Sequence, residues 1–173
     1  MFGPPGIAYV YLVYGMYDCL NIVTEPAGSP SALLIRAVEP TEGIHEMRRA
    51  RLERWQSRRR APAVVDEAFE ARVAAETARL ERLPAAHLAR GPGLVAAAFG
   101  IERSHTGLDL TDPRSPLWIE APPQDDPRPD VIATPRIGID YAGEPWTSRP
   151  WRFAVAGSHS VSGATRTTRP RPA

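Results

Sequence analysis

The 173 residues, 43% hydrophobic and 24% charged with a formal net charge of +1, suffice for one domain that buries roughly 70% of the surface its unfolded chain exposes. All 21 cationic side chains are arginine and none is lysine, which suits planar, bidentate contact with phosphate or carboxylate, although a coding bias leaves the same signature. The lone Cys19 excludes an internal disulfide and a cysteine-based zinc cluster, and the longest apolar stretch, residues 7–17, is too short for a bilayer and lacks a signal-peptide pattern; a reducing cytoplasm with no membrane contact is expected.

In chain order, the aromatic and β-branched run Ile7 to Tyr14 predicts a strand and Cys19 to Val23 a second. Gly15 to Asp18 are few enough for a hairpin connection, which puts Tyr14 and Met16 at or beside its tip. Ala32 to Val38 reads as a third strand, after the turn-rich Pro26 to Pro30. Pro40 and Thr41 open a basic helix with Ile44 and Met47 one turn apart; Val65, Phe69, Val73 and Leu80 share one face of another, read as a surface helix docked on the core. Gly91-Pro92-Gly93 precedes a short apolar helix, Leu94 to Phe99, which Gly100 stops. Pro116 to Ile119, Val131 to Asp140 and Trp151 to Val155 read as further strands. The expected class is α+β: a single domain over residues 1–157, with a curved antiparallel β core and peripheral helices, followed by a mobile Arg/Pro/Ser/Thr-rich tail over 158–173 that carries Arg166, Arg169 and Arg171.

Four features carry candidate chemistry. Alternation puts Tyr9 and Tyr11 on one strand face, either as core or as a platform on which nucleobases stack. Asn21 interrupts an apolar run, so its amide is a structural bridge or a specificity element. Arg36 interrupts Leu33, Leu34, Ile35, Ala37 and Val38 and needs an anion beside it: Glu39 or another carboxylate on the bland reading, a DNA phosphate or a catalytic carboxylate on the functional one. Arg48, Arg49, Arg51, Arg54, Arg58, Arg59 and Arg60 face only Glu53 in the same stretch, a stripe suited to a polyanion or a solvated face paired with Glu46 and Glu53. No nucleotide-loop, metalloprotease, nucleophile-elbow or CxxC pattern occurs and the histidines are scattered, so no cofactor or metal is expected.

Met1-Phe2, Pro5-Gly6, the run Tyr9 to Tyr17 and Cys19-Leu20-Asn21 together resemble the mammalian-type alkyladenine (3-methyladenine) DNA glycosylase family. The likeness continues through Leu34 to Pro40, Gly43, Met47-Arg48, Gly91-Pro92, Arg136 to Ile139, Ala142 to Glu144, Pro150, Arg152-Phe153 and Gly157-Ser158, and skips the region around 52–88 and the tail. The resemblance implies a monomeric, metal-free, monofunctional base-excision repair enzyme that flips an alkylated or deaminated purine out of double-stranded DNA and hydrolyses its N-glycosidic bond, in the cytoplasm and on the nucleoid if the source is bacterial. It assigns Tyr14, with Met16 beside it, to the wedge that replaces the flipped nucleotide, Tyr11 to a wall that stacks on the base, Cys19 to the pocket floor, and Asn21 to crowding the 2-amino group of guanine. Arg36 and the Ile137 carbonyl would hold the attacking water, and Arg36 and Arg48 would contact DNA.

The family's general base is a glutamate in a Glu-Ala-Tyr-like motif before the Met-Phe segment with which this chain starts, so the chain is expected to be an N-terminally truncated form. The same stretch would carry a second aromatic wall and a histidine, and its loss would leave a sheet edge or core uncovered. The alternative is a catalytically silent lesion-binding remnant; a third reading is a single-strand-binding β module built on Tyr9 and Tyr11.

Overall fold

The computed structural model describes residues 1–59 and 66–162. The expectations for Arg60, Val65 and the tail arginines therefore lie outside the described residues.

Strands β1 (Ala8–Val13) and β2 (Tyr17–Val23) form an antiparallel hairpin in register from Ala8↔Ile22 to Val13↔Tyr17. Alternation sends Ala8, Val10 and Leu20 to one face, where they pack with Ala96, Ile101 and Leu110 to make one half of the core. Pairing extends to Tyr17, so the connection is Tyr14-Gly15-Met16 and not residues 15–18. Its closure needs positive φ at Tyr14 (52°) and Gly15 (68°), and the Met16 amide donates to the Val13 carbonyl at 3.0 Å. β3 (Ala32–Leu34) adds to β2 through Asn21↔Leu34 and Val23↔Ala32. It is shorter than the run to Val38 because, after the Ile35 amide donates to the Leu20 carbonyl (3.0 Å), the chain leaves β2 and Ala37 bridges to Arg90 instead.

Helix α1 (Ile44–Arg58) buries only Met47, which joins Leu88, Ala89, Val95 and Ala98 in the second half of the core. So polar a helix gains little from burial. Its arginines hold it instead: Arg48 donates to the Leu80 and Leu83 carbonyls (3.0 and 3.2 Å) and Arg51 to that of Leu88 (3.2 Å), which ties α1 to the C-terminal end of α2 (Glu67–Arg82) and to the segment that follows it. At the other end of α2 the Asp66 carboxylate accepts the Phe69 amide at 2.7 Å. The proline-started α3 (Pro92–Ala98) packs between α1 and β2.

β4 (Val131–Thr134) and β5 (Arg152–Val155) pair antiparallel, Val131↔Val155 through Thr134↔Arg152. β4 stops well before Asp140 because Pro135 has no amide to donate. Pro116 to Ile119 form no strand; Ile119 makes one backbone bond, to the Leu110 carbonyl. The molecule is thus a single α+β domain, but its antiparallel structure is split into a three-stranded and a two-stranded sheet. Residues 158–162, expected to open the tail, are tied to the body: Ser158 donates to Glu39 (2.9 Å), while Arg90 and Arg152 donate to the Val161 and Ser162 carbonyls (2.9 and 2.6 Å). Among the described residues no helix is long and apolar enough to cross a membrane, and no three metal-binding side chains cluster.

Candidate functional site

In an antiparallel pair the residues directly opposite share a face. Tyr9 stands opposite Asn21 and Tyr11 opposite Cys19, so these four occupy the face of the hairpin turned away from the first core. The two tyrosine rings stack, with centroids 5.6 Å apart and planes 24° from parallel. Neither belongs to a core cluster and both stay partly accessible, whereas Cys19 and Asn21 between the strands are buried. Asn21 donates through Nδ2 to the Tyr9 carbonyl (3.1 Å) and the Cys19 carbonyl (3.2 Å), so the structural bridge is real.

Arg36 leaves the end of β3 toward this face. Burial lowers its pKa and so does the charge of Arg152, while Cys19 and Tyr11 favour its charged form. Burial likewise raises the phenol of Tyr11, with contributions from Cys19, Tyr9 and Tyr141, and the thiol of Cys19, with a contribution from Asp18; Arg36 opposes both. Among the described residues the Arg36 guanidinium has no hydrogen-bond or ion-pair partner, and Glu39, its bland candidate, accepts from Ser158 instead. A half-buried cation beside an aromatic face and open to an anion is the chemical content of the site.

The structure therefore brings Tyr11, Cys19, Asn21 and Arg36 together. Tyr14, 83% exposed, and Met16 project at the tip of the same hairpin. The hairpin is clamped just below this tip: the buried Asp18 carboxylate pairs with Arg54 and lies 3.7 Å from Arg103, and Tyr17 lies under Arg58 at 4.5 Å. Ile137 stands half exposed on the loop between β4 and the turn Asp140–Ala142, and its carbonyl accepts no hydrogen bond among the described residues. Arg48 is turned to α2, with its donors on the Leu80 and Leu83 carbonyls and Glu81 4.0 Å away. Of the arginine stripe, Arg51 and Arg54 also face the protein, Arg49 lies 3.9 Å from Glu53, and Arg59 lies over Trp55.

Sequence reading gave no role to Tyr141, Arg152 or Ser160. The signal for Arg152 was the one that picked out Arg36, a cation inside an apolar run. Nothing in the sequence placed Tyr141 near Tyr11, because the two are joined only by the folding of the loop after β4. Next to Arg36 opens a cleft of about 300 Å³, with walls from residues 33–37, β5 and residues 158–162.

The family model described as methylpurine-DNA glycosylase (MPG) matches residues 1–159 of the chain. The chain belongs to the methylpurine-DNA glycosylase family. Among curated relatives it is 40% identical to a protein of Anaeromyxobacter dehalogenans (strain 2CP-C) over 163 residues, 94% of this chain and 56% of that protein. It is 40% identical to one of Rhodopseudomonas palustris (strain BisB18) over 94% of this chain and 62% of the relative, and 38% identical to one of Bacillus cereus (strain G9842) over 94% and 68%. Each bears the name "Putative 3-methyladenine DNA glycosylase". The chain spans 56% to 62% of the length of the first four relatives it matches.

Proposed function

We propose that the protein acts in base-excision repair as a monofunctional DNA glycosylase that rotates alkylated or deaminated purines out of duplex DNA and hydrolyses the N-glycosidic bond. The observation that carries this reading is one hairpin with two uses: an exposed aromatic tip, and a stacked tyrosine face floored by Cys19 and Asn21 and flanked by an arginine that has no partner among the described residues. Tyr14 enters the stack in place of the flipped nucleotide, with Met16 beside it, which offsets the few kcal/mol lost to unstacking. Tyr11 stacks on the extruded base, and an electron-poor alkylated purine stacks on it more strongly, by an attraction akin to cation–π. Asn21, held by its two strand carbonyls, crowds the 2-amino group of guanine.

Arg36 takes the adjacent DNA backbone and, with the Ile137 carbonyl, the attacking water. Arg48 serves mainly to brace α2, and its contribution to DNA contact comes through the placing of α1. The protein works as a monomer in the cytoplasm, on the chromosome. The test is release of hypoxanthine or 1,N6-ethenoadenine from duplex by this 173-residue chain beside an N-terminally extended version. Base release by both, or by the extended form alone, supports a glycosylase; lesion binding without release by either supports the second reading, a silent lesion sensor. That reading is favoured by one observation, the lack of any carboxylate paired with Arg36 among the described residues.

A further inference from the structure

Between β4 and β5 the chain carries Trp146, and Trp151 directly precedes β5. The glycosylase reading uses neither. They are 43% and 45% exposed, yet their ring centroids lie 5.7 Å apart, with planes tilted by 46°. Backbone turns set them there: the Trp146 amide donates to the Gly143 carbonyl at 3.0 Å and the Trp151 amide to the Arg149 carbonyl at 2.8 Å. One guanidinium caps both rings. Arg149 stands 4.8 Å from the Trp146 centroid and 4.7 Å from that of Trp151, and Arg136 lies over Trp151 at 5.4 Å while donating to the Trp146 carbonyl at 3.4 Å. Of these four residues only Trp151 also borders the cleft beside Arg36.

Two observations separate this stack from a staple that merely closes its loop. A staple gains by covering its rings, whereas these indoles stay open to solvent. Its cations also lack a counter-charge: among the described residues no carboxylate pairs with Arg136 or Arg149, and Glu144, on the same segment, accepts from the Thr147 and Ser148 hydroxyls instead. A guanidinium held flat against an indole keeps the donors on its edge free for an anion, in an orientation already fixed.

We propose that the Trp146–Arg149–Trp151 stack, with Arg136 beside it, is a second nucleic-acid surface that holds a single DNA strand. Unpaired bases pack on the exposed indoles, and the two arginines take phosphates of the same strand. An intact duplex fits less well, because its base faces cover one another and it offers the indoles only sugar and phosphate. An acidic peptide answers the arginines but brings no flat ring to the indoles. The inference goes beyond the glycosylase reading and does not rest on it, and the ligand that tests it contains no purine.

An oligothymidylate of about sixteen nucleotides is titrated into the full chain, with tryptophan fluorescence and the anisotropy of an end label as readouts. Saturable quenching is expected, with affinity about tenfold or more above that for the same strand paired with oligoadenylate. Two phosphate contacts give a slope of about −1.4 for log affinity against log salt, which Arg149→Gln should bring to about −0.7. Arg114→Gln, at a surface pair with Asp112, should leave that slope as it was. Trp146→Leu should weaken binding about tenfold, and Trp146→Phe, which keeps a ring, should restore most of the loss. Duplex bound as tightly as the single strand, tighter binding of oligouridylate or of a capped oligoglutamate, or full affinity in Trp146→Leu would each overturn the proposal. So would loss of thymidylate binding in Tyr11→Ala alone, which would move the stacking to the tyrosine face. The comparison of single strand with duplex is made on the unaltered chain, so it decides even if a variant does not fold, and base release from lesion-bearing duplex stands or falls separately.

Discussion

Tyr14 combines two costs that a structural residue would avoid, an exposed ring and a left-handed backbone (φ 52°). Since the ring packs on nothing inside the protein, Tyr14→Ala should leave the circular dichroism spectrum and unfolding midpoint nearly unchanged while weakening binding to lesion-containing duplex about tenfold to a hundredfold; unaltered affinity in a gel-shift titration would remove the wedge. Asp18 behaves in the opposite way. Its buried carboxylate neutralises Arg54, which keeps Glu102 at 3.3 Å as a second partner, so Asp18→Asn should cost about 2–3 kcal/mol in urea unfolding. For Cys19 the sign follows from burial. The folded state holds the thiol above its ordinary range, so the neutral form is preferred; stability from this source is complete below the ordinary thiol pKa and declines as pH rises through the folded value. A disulfide reagent at pH 8 should label the native chain far more slowly than the urea-unfolded one. Equal rates would show that Cys19 is not closed off.

At the level of elements, the hairpin and α1 depend on each other. α1 buries one side chain, and its inward arginines end on carbonyls of the chain around the end of α2 and on Asp18 just below the hairpin tip. Within the arginine stripe, Arg48, Arg51 and Arg54 serve as internal wiring, since a guanidinium on a long stem satisfies carbonyls that apolar packing cannot, while Arg49, Arg58 and Arg59 stay exposed. α3 makes a tighter contact. A Cβ at Gly93 would stand 2.7 Å from Tyr17 Cδ1 and 3.0 Å from Tyr17 Cβ, next to the tip. Gly93→Ala should therefore cost about 1–3 kcal/mol and weaken lesion binding by displacing the hairpin, an effect visible as a joint loss of urea midpoint and affinity. Loss of stability with full affinity would show that the tip does not depend on this packing.

For the molecule as a whole, the exposed hairpin tip, the tyrosine face and Arg36 stand together only in the folded chain. An occupant that binds only the folded form stabilises it by mass action, so lesion-containing duplex at one hundred times its dissociation constant should add about 2.7 kcal/mol and raise Tm by about 5–10 °C. A differential scanning trace without a shift would contradict lesion binding by the folded chain.

Local pattern was enough for the α+β class, the hairpin, the placing of Tyr14 and Met16 at its tip, and the shared face of Tyr9 and Tyr11, because alternation, β-branching and turn residues act over a few positions. The resemblance added the family and gave Tyr11, Cys19 and Asn21 to the base pocket and Arg36 to the water and backbone; the register puts the first three on one face of the hairpin, with Arg36 near Tyr11 and Cys19. What chain order could not reveal was the division of the strands into two sheets, the inward turn of Arg48, Arg51 and Arg54, and the meeting of Arg36 with Arg152 and Ser160. Those depend on contacts between residues tens to more than a hundred positions apart, whose energies exist only once the helices have docked and the loops have closed, and no local propensity encodes them.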